Sequence, residues 1–161
     1  MSLRVQVRDL VARGETEKLG ALVADEPRAI RHLVGLTYQD DEKTRAVACR
    51  AIGRASRHHP DLVQQVVRRL IWAMNDESGT NSLTAPEVVK AVAEESPELL
   101  LPLVPDLTRL AADEGLHERL AEVLRMLAEK FPGSVGRGIE GSLIKELKKI
   151  SKKRKTHGFG P

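Results

Sequence analysis

Four prolines recur along this chain at a nearly constant interval. The intervals are 33, 37 and 35 residues, and apolar or small residues stand eight and five positions before each proline. A repeat of this length is typical of stacked copies of one helical unit, since a single unit cannot bury its apolar face alone. The period therefore predicts an all-α chain of about three to four helix pairs. The prolines are Pro27, Pro60, Pro97 and Pro132.

Each repeat reads as two antiparallel helices, A and B, with the proline opening helix A. Proline is tolerated in the first turn, where its missing N–H would have no intrahelical partner. The predicted repeats occupy about residues 3–26, 27–59, 60–96 and 97–131, within one domain of residues 1–141. The predicted helices are 3–13, 15–25, 26–37, 41–58, 61–74, 85–95, 98–112 and 116–130.

Three details of these helices can be predicted from residue types. Asp40 is expected to cap helix B of the second repeat. Pro102 and Pro105 are expected to kink or shorten helix A of the last repeat. Aligning the B helices places three columns of apolar residues in the core. The columns are Ala48, Ala85 and Leu120; Ile52, Val89 and Leu124; and Ala55, Val92 and Leu127.

The positive charge of the chain is concentrated at its end. The whole sequence has a net charge of +3, but residues 142–161 contain seven Lys or Arg and one Glu, which leaves residues 1–141 mildly acidic. We expect a short helix at 142–151 followed by a flexible basic tail. The tail is either a solvated end without a partner or a non-specific contact to nucleic acid phosphates. The residues of that contact would be Lys148, Lys149, Lys152, Lys153, Arg154 and Lys155.

Composition and missing motifs limit the cellular location, the ligands and the cofactors expected of this chain. The single cysteine, Cys49, cannot form an internal disulfide, and no apolar run is long enough to span a membrane, so we expect a cytoplasmic protein. Aromatic residues are only 2% of the chain, which disfavours a base-stacking nucleic-acid surface. Because no phosphate-binding loop, dinucleotide fingerprint or His-Glu-x-x-His motif occurs, we expect no cofactor.

A row of exposed residues is expected opposite the buried columns of the B helices. Such a row can line the face of a helical repeat on which an extended partner docks. The alternative is that its charges only form ion pairs between repeats, such as Arg50 with Glu87 and Arg57 with Glu94. The residues of the row are Arg50, Arg54, Arg57, Glu87, Ala91, Glu94, Glu122 and Met126.

The segment 71–87 has the most unusual composition, and three interpretations stay open. It can be a turn followed by a capping box with Thr84 as N-cap, while Trp72 and Met74 cover the core. It can be a partner-binding loop that includes Asn75. It can also be a site for a hard cation or cationic group. The carboxylates of such a site would be Asp76, Glu77 and Glu87.

The period and the helix pairing over about residues 15–135 resemble HEAT-like repeats, including the short prokaryotic variety found in phycobilisome lyases. Trp72, Met74, the run 75–79 and Ala85-Pro86-Glu87 are similar to a segment of small prokaryotic HEAT-repeat proteins. The resemblance implies a right-handed α-α superhelix and functions such as scaffold or adaptor.

The leading functional hypothesis is a non-enzymatic scaffold that binds a protein partner through its B-helix row and the 75–87 loop. The first alternative is a nucleic-acid-associated module that uses the basic tail. The second alternative is an enzyme or enzyme subunit with a carboxylate site at Asp76, Glu77 and Glu87. The oligomeric state stays open.

Overall fold

The computed structural model describes residues 1–75, 84–112 and 117–136, and every regular element within these ranges is a helix. This confirms the all-α prediction. The predicted helix at 142–151 and the basic tail lie outside the described residues. The α-helices are α1 (Leu3–Ala12), α2 (Thr16–Asp25), α3 (Ala29–Leu36), α4 (Glu42–His58), α5 (Pro60–Asn75), α6 (Ala85–Glu95), α7 (Val104–Ala111) and α8 (His117–Lys130), and a 3₁₀ helix spans Pro97–Leu103.

Contacts within the chain group it into two compact units, residues 1–100 and 101–161. The first unit contains α1 to α6, and the second contains α7 and α8. The predicted single repeat domain of residues 1–141 stays a prediction.

Helix starts and ends follow local backbone chemistry. The Ser2 hydroxyl accepts the N–H of Val5 at 3.2 Å and caps α1. Gly14 separates α1 from α2 with a φ of 72°, a left-handed conformation that glycine adopts without steric cost. Pro60 is the first residue of α5, as the sequence predicts.

The cap of α4 differs from the prediction. Asp41, not Asp40, is the N-cap, and its carboxylate accepts the N–H of Thr44 at 3.3 Å. The Thr44 hydroxyl also donates to this carboxylate, and that hydrogen bond is the main reason why the pKa of Asp41 lies below its ordinary value. Asp40 instead offers its backbone carbonyl to the guanidinium of Arg45.

The centre of the first unit is α4, which lies between α2 and α6 and also contacts α1, α3 and α5. Small residues on both sides of α4 permit these close approaches. A Cβ atom added to Gly20 of α2 would lie 3.1 Å from the Cβ of Arg54, and one added to Gly53 would lie 2.6 Å from the carbonyl oxygen of Ala91. The helices therefore meet almost backbone to backbone at these two points.

The core follows the predicted columns. All nine residues of the three columns are buried, including Ala48, Ile52 and Ala55 on α4. Two polar contacts join α4 and α5 to the chain that follows α6. The buried hydroxyls of Ser56 and Ser96 are 2.7 Å apart, and the Gln64 amide donates to the carbonyl of Leu99 at 3.0 Å.

The second unit begins where the last A helix is interrupted. Pro102 lies inside the 3₁₀ helix and Pro105 lies in the first turn of α7, so the predicted helix 98–112 is shortened to Val104–Ala111. This outcome confirms the expected effect of the two prolines. Helices α7 and α8 pack against each other. Leu107 and Leu124 are among their fully buried residues.

Candidate functional site

An open groove with a volume of about 500 Å³ lies between α3 and α5 in the first unit. This size is typical of ligand-binding clefts. The groove, called here the α3/α5 groove, exists because both helices pack on α4 but have little direct contact with each other. It is lined by Pro27, Arg28, Ile30, Arg31, Val34 and Tyr38 on the α3 side and by Leu62, Gln65, Val66, Arg69, Leu70 and Ala73 on the α5 side.

The floor of the groove is apolar, and its walls come from helical stripes. Ile30, Val66 and Leu70 are buried at 8% exposure or less, and they close the floor above the core. The half-buried side chains of Val34 and Leu62 form its walls. On each helix the lining residues recur three or four positions apart, which places them on one side of the helix. The groove is therefore a slot bounded by two helices.

The rim of the groove is cationic. Arg28, Arg31 and Arg69 line it, and among the described residues no acidic side chain does. Arg28 lies 3.9 Å from the carboxylate of Glu26. Arg31 and Arg69 are exposed, and within the described ranges neither forms an ion pair. The guanidinium groups on the two walls are thus available to an anionic partner.

Two exposed aromatic side chains lie near the groove, one in the turn after α3 and one on α5. Tyr38, at 39% exposure, lines the groove, and Trp72 on α5 is 81% exposed. Trp72 follows Arg69 by three positions and so lies one turn beyond it on the outer side of the helix. The expectation that Trp72 covers the core is wrong, whereas Met74 is buried as predicted.

The arginines predicted on the exposed row of α4 are engaged by neighbouring helices. Arg54 Nη1 lies 2.7 Å from Glu17 Oε1 on α2, and Arg54 Nε lies 3.2 Å from Glu95 Oε1 on α6. Arg57 Nη2 lies 2.6 Å from Glu95 Oε2, and this contact is an ion pair without a hydrogen bond. Arg50 is exposed and forms no ion pair within the part of the chain that the structure describes.

Ion pairs between helices do form along the row, as the alternative interpretation predicts, but they join other residues than the predicted ones. Arg57 contacts Glu95 and not Glu94, and the predicted pair of Arg50 with Glu87 does not form. Ala91, which was expected on the exposed row, is buried at 7% exposure because the backbone of α4 at Gly53 packs against it. Glu94 is exposed and Glu87 is half-buried.

The remaining predicted site residues lie apart from this cluster. Glu122 and Met126 are half-buried on α8 in the second unit, so the row across three helices stays a prediction. Asp76 and Glu77 lie outside the described residues, as do the tail residues from Lys148 to Lys155, and the side chain of Asn75 is likewise not described.

The predicted capping box of α6 is wrong in one respect. The Thr84 side chain makes no N-cap hydrogen bond, and the N–H of Glu87 is bonded to the backbone carbonyl of Thr84 instead. The φ of −94° and ψ of −17° at Thr84 are helical and not extended, and an extended backbone is what a side-chain cap requires. Pro86 lies in the first turn as predicted.

Neither a metal-ligand cluster nor a membrane-spanning helix occurs among the described residues. No group of three or more His, Cys, Asp or Glu residues in residues 1–75, 84–112 and 117–136 is arranged to hold a metal ion. Within the same ranges no helix is both long and apolar enough to cross a membrane. Cys49 is buried on α4.

No protein-family model, curated protein or solved structure matches this chain. The candidate site is therefore defined by its own geometry and chemistry.

The sequence analysis did not single out the α3/α5 groove. One signal was present, because α5 carries more apolar residues than one core face needs: Leu62 flanks the buried set of Val63, Val66 and Val67. Apolar residues on more than one side of a helix indicate more than one contact surface, and on α5 the side that carries Leu62 and Val66 lines the groove.

Proposed function

We propose that this protein is a non-enzymatic protein-binding module and that the α3/α5 groove is its binding surface. The observation that carries the proposal is an apolar slot on the first unit flanked by Arg31 and Arg69, neither of which forms an ion pair within residues 1–75, 84–112 and 117–136. Contiguous exposed apolar patches mark interaction surfaces, whereas single exposed apolar residues are ordinary. The described residues include four large apolar side chains that are exposed, and two of these, Tyr38 and Trp72, lie on or beside this groove.

The architecture we propose is an α-solenoid of HEAT-like repeats. The pairs α1 and α2, α3 and α4, and α5 and α6 agree in order and length with three of the predicted repeats. In such repeat proteins each unit contacts its neighbours, and the stacked units present extended surfaces on which partners bind. The groove lies between the A helices of two successive pairs, α3 and α5.

The B-helix row is a second possible surface, and the proposal ranks it below the groove. Its central cations, Arg54 and Arg57, are already paired with Glu17 and Glu95, so a partner would have to displace these contacts. Arg31 and Arg69 in the groove have no such competing partner among the described residues.

Site-specific photo-crosslinking in the native cell tests this assignment. A benzophenone amino acid is placed at Gln65, which lines the groove, at Arg68, which is exposed on the same helix but outside the groove, and at Arg50 on the B-helix row. All three positions are exposed, so the fold is expected to tolerate the change.

The proposal predicts a discrete protein adduct from position 65 and none from position 68. An adduct from position 50 alone would transfer the binding surface to the B-helix row. Nucleic-acid adducts without protein adducts, or equal labelling from positions 65 and 68, would refute the protein-binding groove.

A further inference from the structure

We infer that the α3/α5 groove takes a partner of one chemistry, an amphipathic helix with acidic residues along both sides of its apolar stripe. The inference rests on the proposed function, because it names the ligand class of the same groove. Shape, charge and the rest of the described surface each limit the occupant.

The shape of the groove fits a helix of about three turns. The lining residues of α5 run from Leu62 to Ala73, a length of about 16 Å at the rise of an α-helix. A third helix placed between two helices buries residues at positions i, i+3 or i+4, and i+7. The apolar floor of Ile30, Val66 and Leu70 offers the contact for such a stripe.

The charge of the rim selects acidic residues. Arg31 lies on one wall and Arg69 on the other, and none of the described residues that line the groove carries a carboxylate that would neutralise them. A helix in the slot presents residues on both sides of its apolar stripe to these two walls. Carboxylates at those places pair with the guanidinium groups, whereas lysines there would be repelled.

A second copy of the chain is a poor occupant. Outside the groove, the large exposed apolar residues of the described ranges are Met1, Val5 and Trp72, and they form no three-turn stripe. Two copies that joined groove to groove would oppose the same arginines across a two-fold axis. Arg31 and Arg69 would then meet like charges without a compensating acid.

A fatty acid or similar single-carboxylate amphiphile fits less well. Such a ligand carries its charge at one end of an apolar chain, but the cations of the groove stand on both walls. A single carboxylate satisfies one wall and leaves the other unpaired. A helix with two acidic flanks satisfies both.

Selection from an unbiased library tests the inference. A displayed library of random 16-residue peptides is panned on the full-length protein, with counter-selection on the Arg31→Glu/Arg69→Glu variant. The library length is about that of a four-turn helix, roughly 24 Å, so a bound peptide can span the whole slot of about 16 Å. Enriched peptides are expected to be acidic, with apolar residues at helical spacing.

One selected peptide is then synthesised for titration against matched variants. Arg69→Glu is expected to weaken its Kd about tenfold, while Arg68→Glu, next to it on α5 but outside the groove, changes the Kd less than twofold. The affinity is expected to fall with added salt. Trp72, the only tryptophan, reports binding through its fluorescence.

The outcomes separate the inference from the proposed function. Enriched peptides that are basic or neutral, or that lack helical periodicity, would overturn the acidic-helix inference while leaving the groove as a binding surface. The acidic-helix inference is also overturned, and the groove kept as a binding surface, if dodecanoate displaces the peptides or if sedimentation shows a dimer that the peptides dissociate. No groove-dependent peptide at all overturns the inference, whereas the proposed function is judged independently by crosslinking at position 65.

Discussion

Because α4 and α6 approach closely at Gly53, replacement of glycine by alanine is expected to have opposite effects on stability at Gly53 and at Gly35. In Gly53→Ala the new Cβ would lie 2.6 Å from the carbonyl oxygen of Ala91, where ordinary contact begins at 3.4 Å. The obstacle is backbone and cannot rotate away, so α4 and α6 must separate by about 0.8 Å, the difference between these two distances. In Gly35→Ala on α3 the new Cβ meets nothing within 4 Å.

The magnitudes follow from two opposing terms. Alanine is favoured over glycine in a helix by about 0.5–1 kcal/mol, and this gain applies at both positions. Overpacking of a tight interface costs about 1–3 kcal/mol, and it applies at Gly53 alone. Gly35→Ala is therefore expected to raise the free energy of unfolding by about 0.5–1 kcal/mol, and Gly53→Ala to lower it by about 1 kcal/mol.

Urea denaturation followed by far-ultraviolet circular dichroism measures both variants beside the wild type. For a chain of this size each kcal/mol corresponds to about 2–4 °C in Tm, so thermal scans give a second reading. The added Cβ of Gly20→Ala would have its nearest contact at 3.1 Å, so the stability of this variant is expected to lie between those of Gly53→Ala and Gly35→Ala. If Gly53→Ala stabilises the protein as much as Gly35→Ala, the backbone contact between α4 and α6 does not exist in solution.

Three further predictions concern polar contacts of the first unit. Ser56→Ala leaves the buried Ser96 hydroxyl without this partner and should cost about 1–2 kcal/mol in urea denaturation, part of which Ser56→Ala/Ser96→Ala recovers. Glu95→Gln should cost about 1 kcal/mol at low salt and less at high salt, since its contacts to two arginines are ionic. The pKa of Asp41 is lowered in the folded state, so the carboxylate stabilises the fold above its ordinary pKa of 3.8, and this stabilisation is lost as the pH falls through the lower pKa of the folded state. Asp41→Asn should therefore flatten the dependence of Tm on pH in this acid range. An acid slope that Asp41→Asn leaves unchanged would contradict the cap.

The order and bounds of the helices were largely predictable from sequence because they depend on periodicity and on glycine or proline at the breaks. The exact cap of α4 was not, because Asp40 and Asp41 are the same residue type and only the backbone conformation selects between them. Pattern identifies a helix start to within a residue or two.

The candidate site was less predictable because it depends on how helices meet. The row predicted on α6 assumed a constant rotation between repeats, but the approach at Gly53 turns Ala91 inward and brings Glu95 to the arginines of α4. The groove was missed for a related reason. An apolar residue such as Leu62 reads the same in sequence whether a neighbouring helix covers it or leaves it open.

The central position of α4 also has a kinetic consequence. Every other α-helix of the first unit contacts it, so its buried middle is not expected to open while those helices stay packed. Native-state hydrogen exchange should therefore be slowest in the middle of α4, near Ile52, and its protection should fall together with that of α2 and α6 as denaturant is added. The first unit would then open as one cooperative block and not by peeling from its ends.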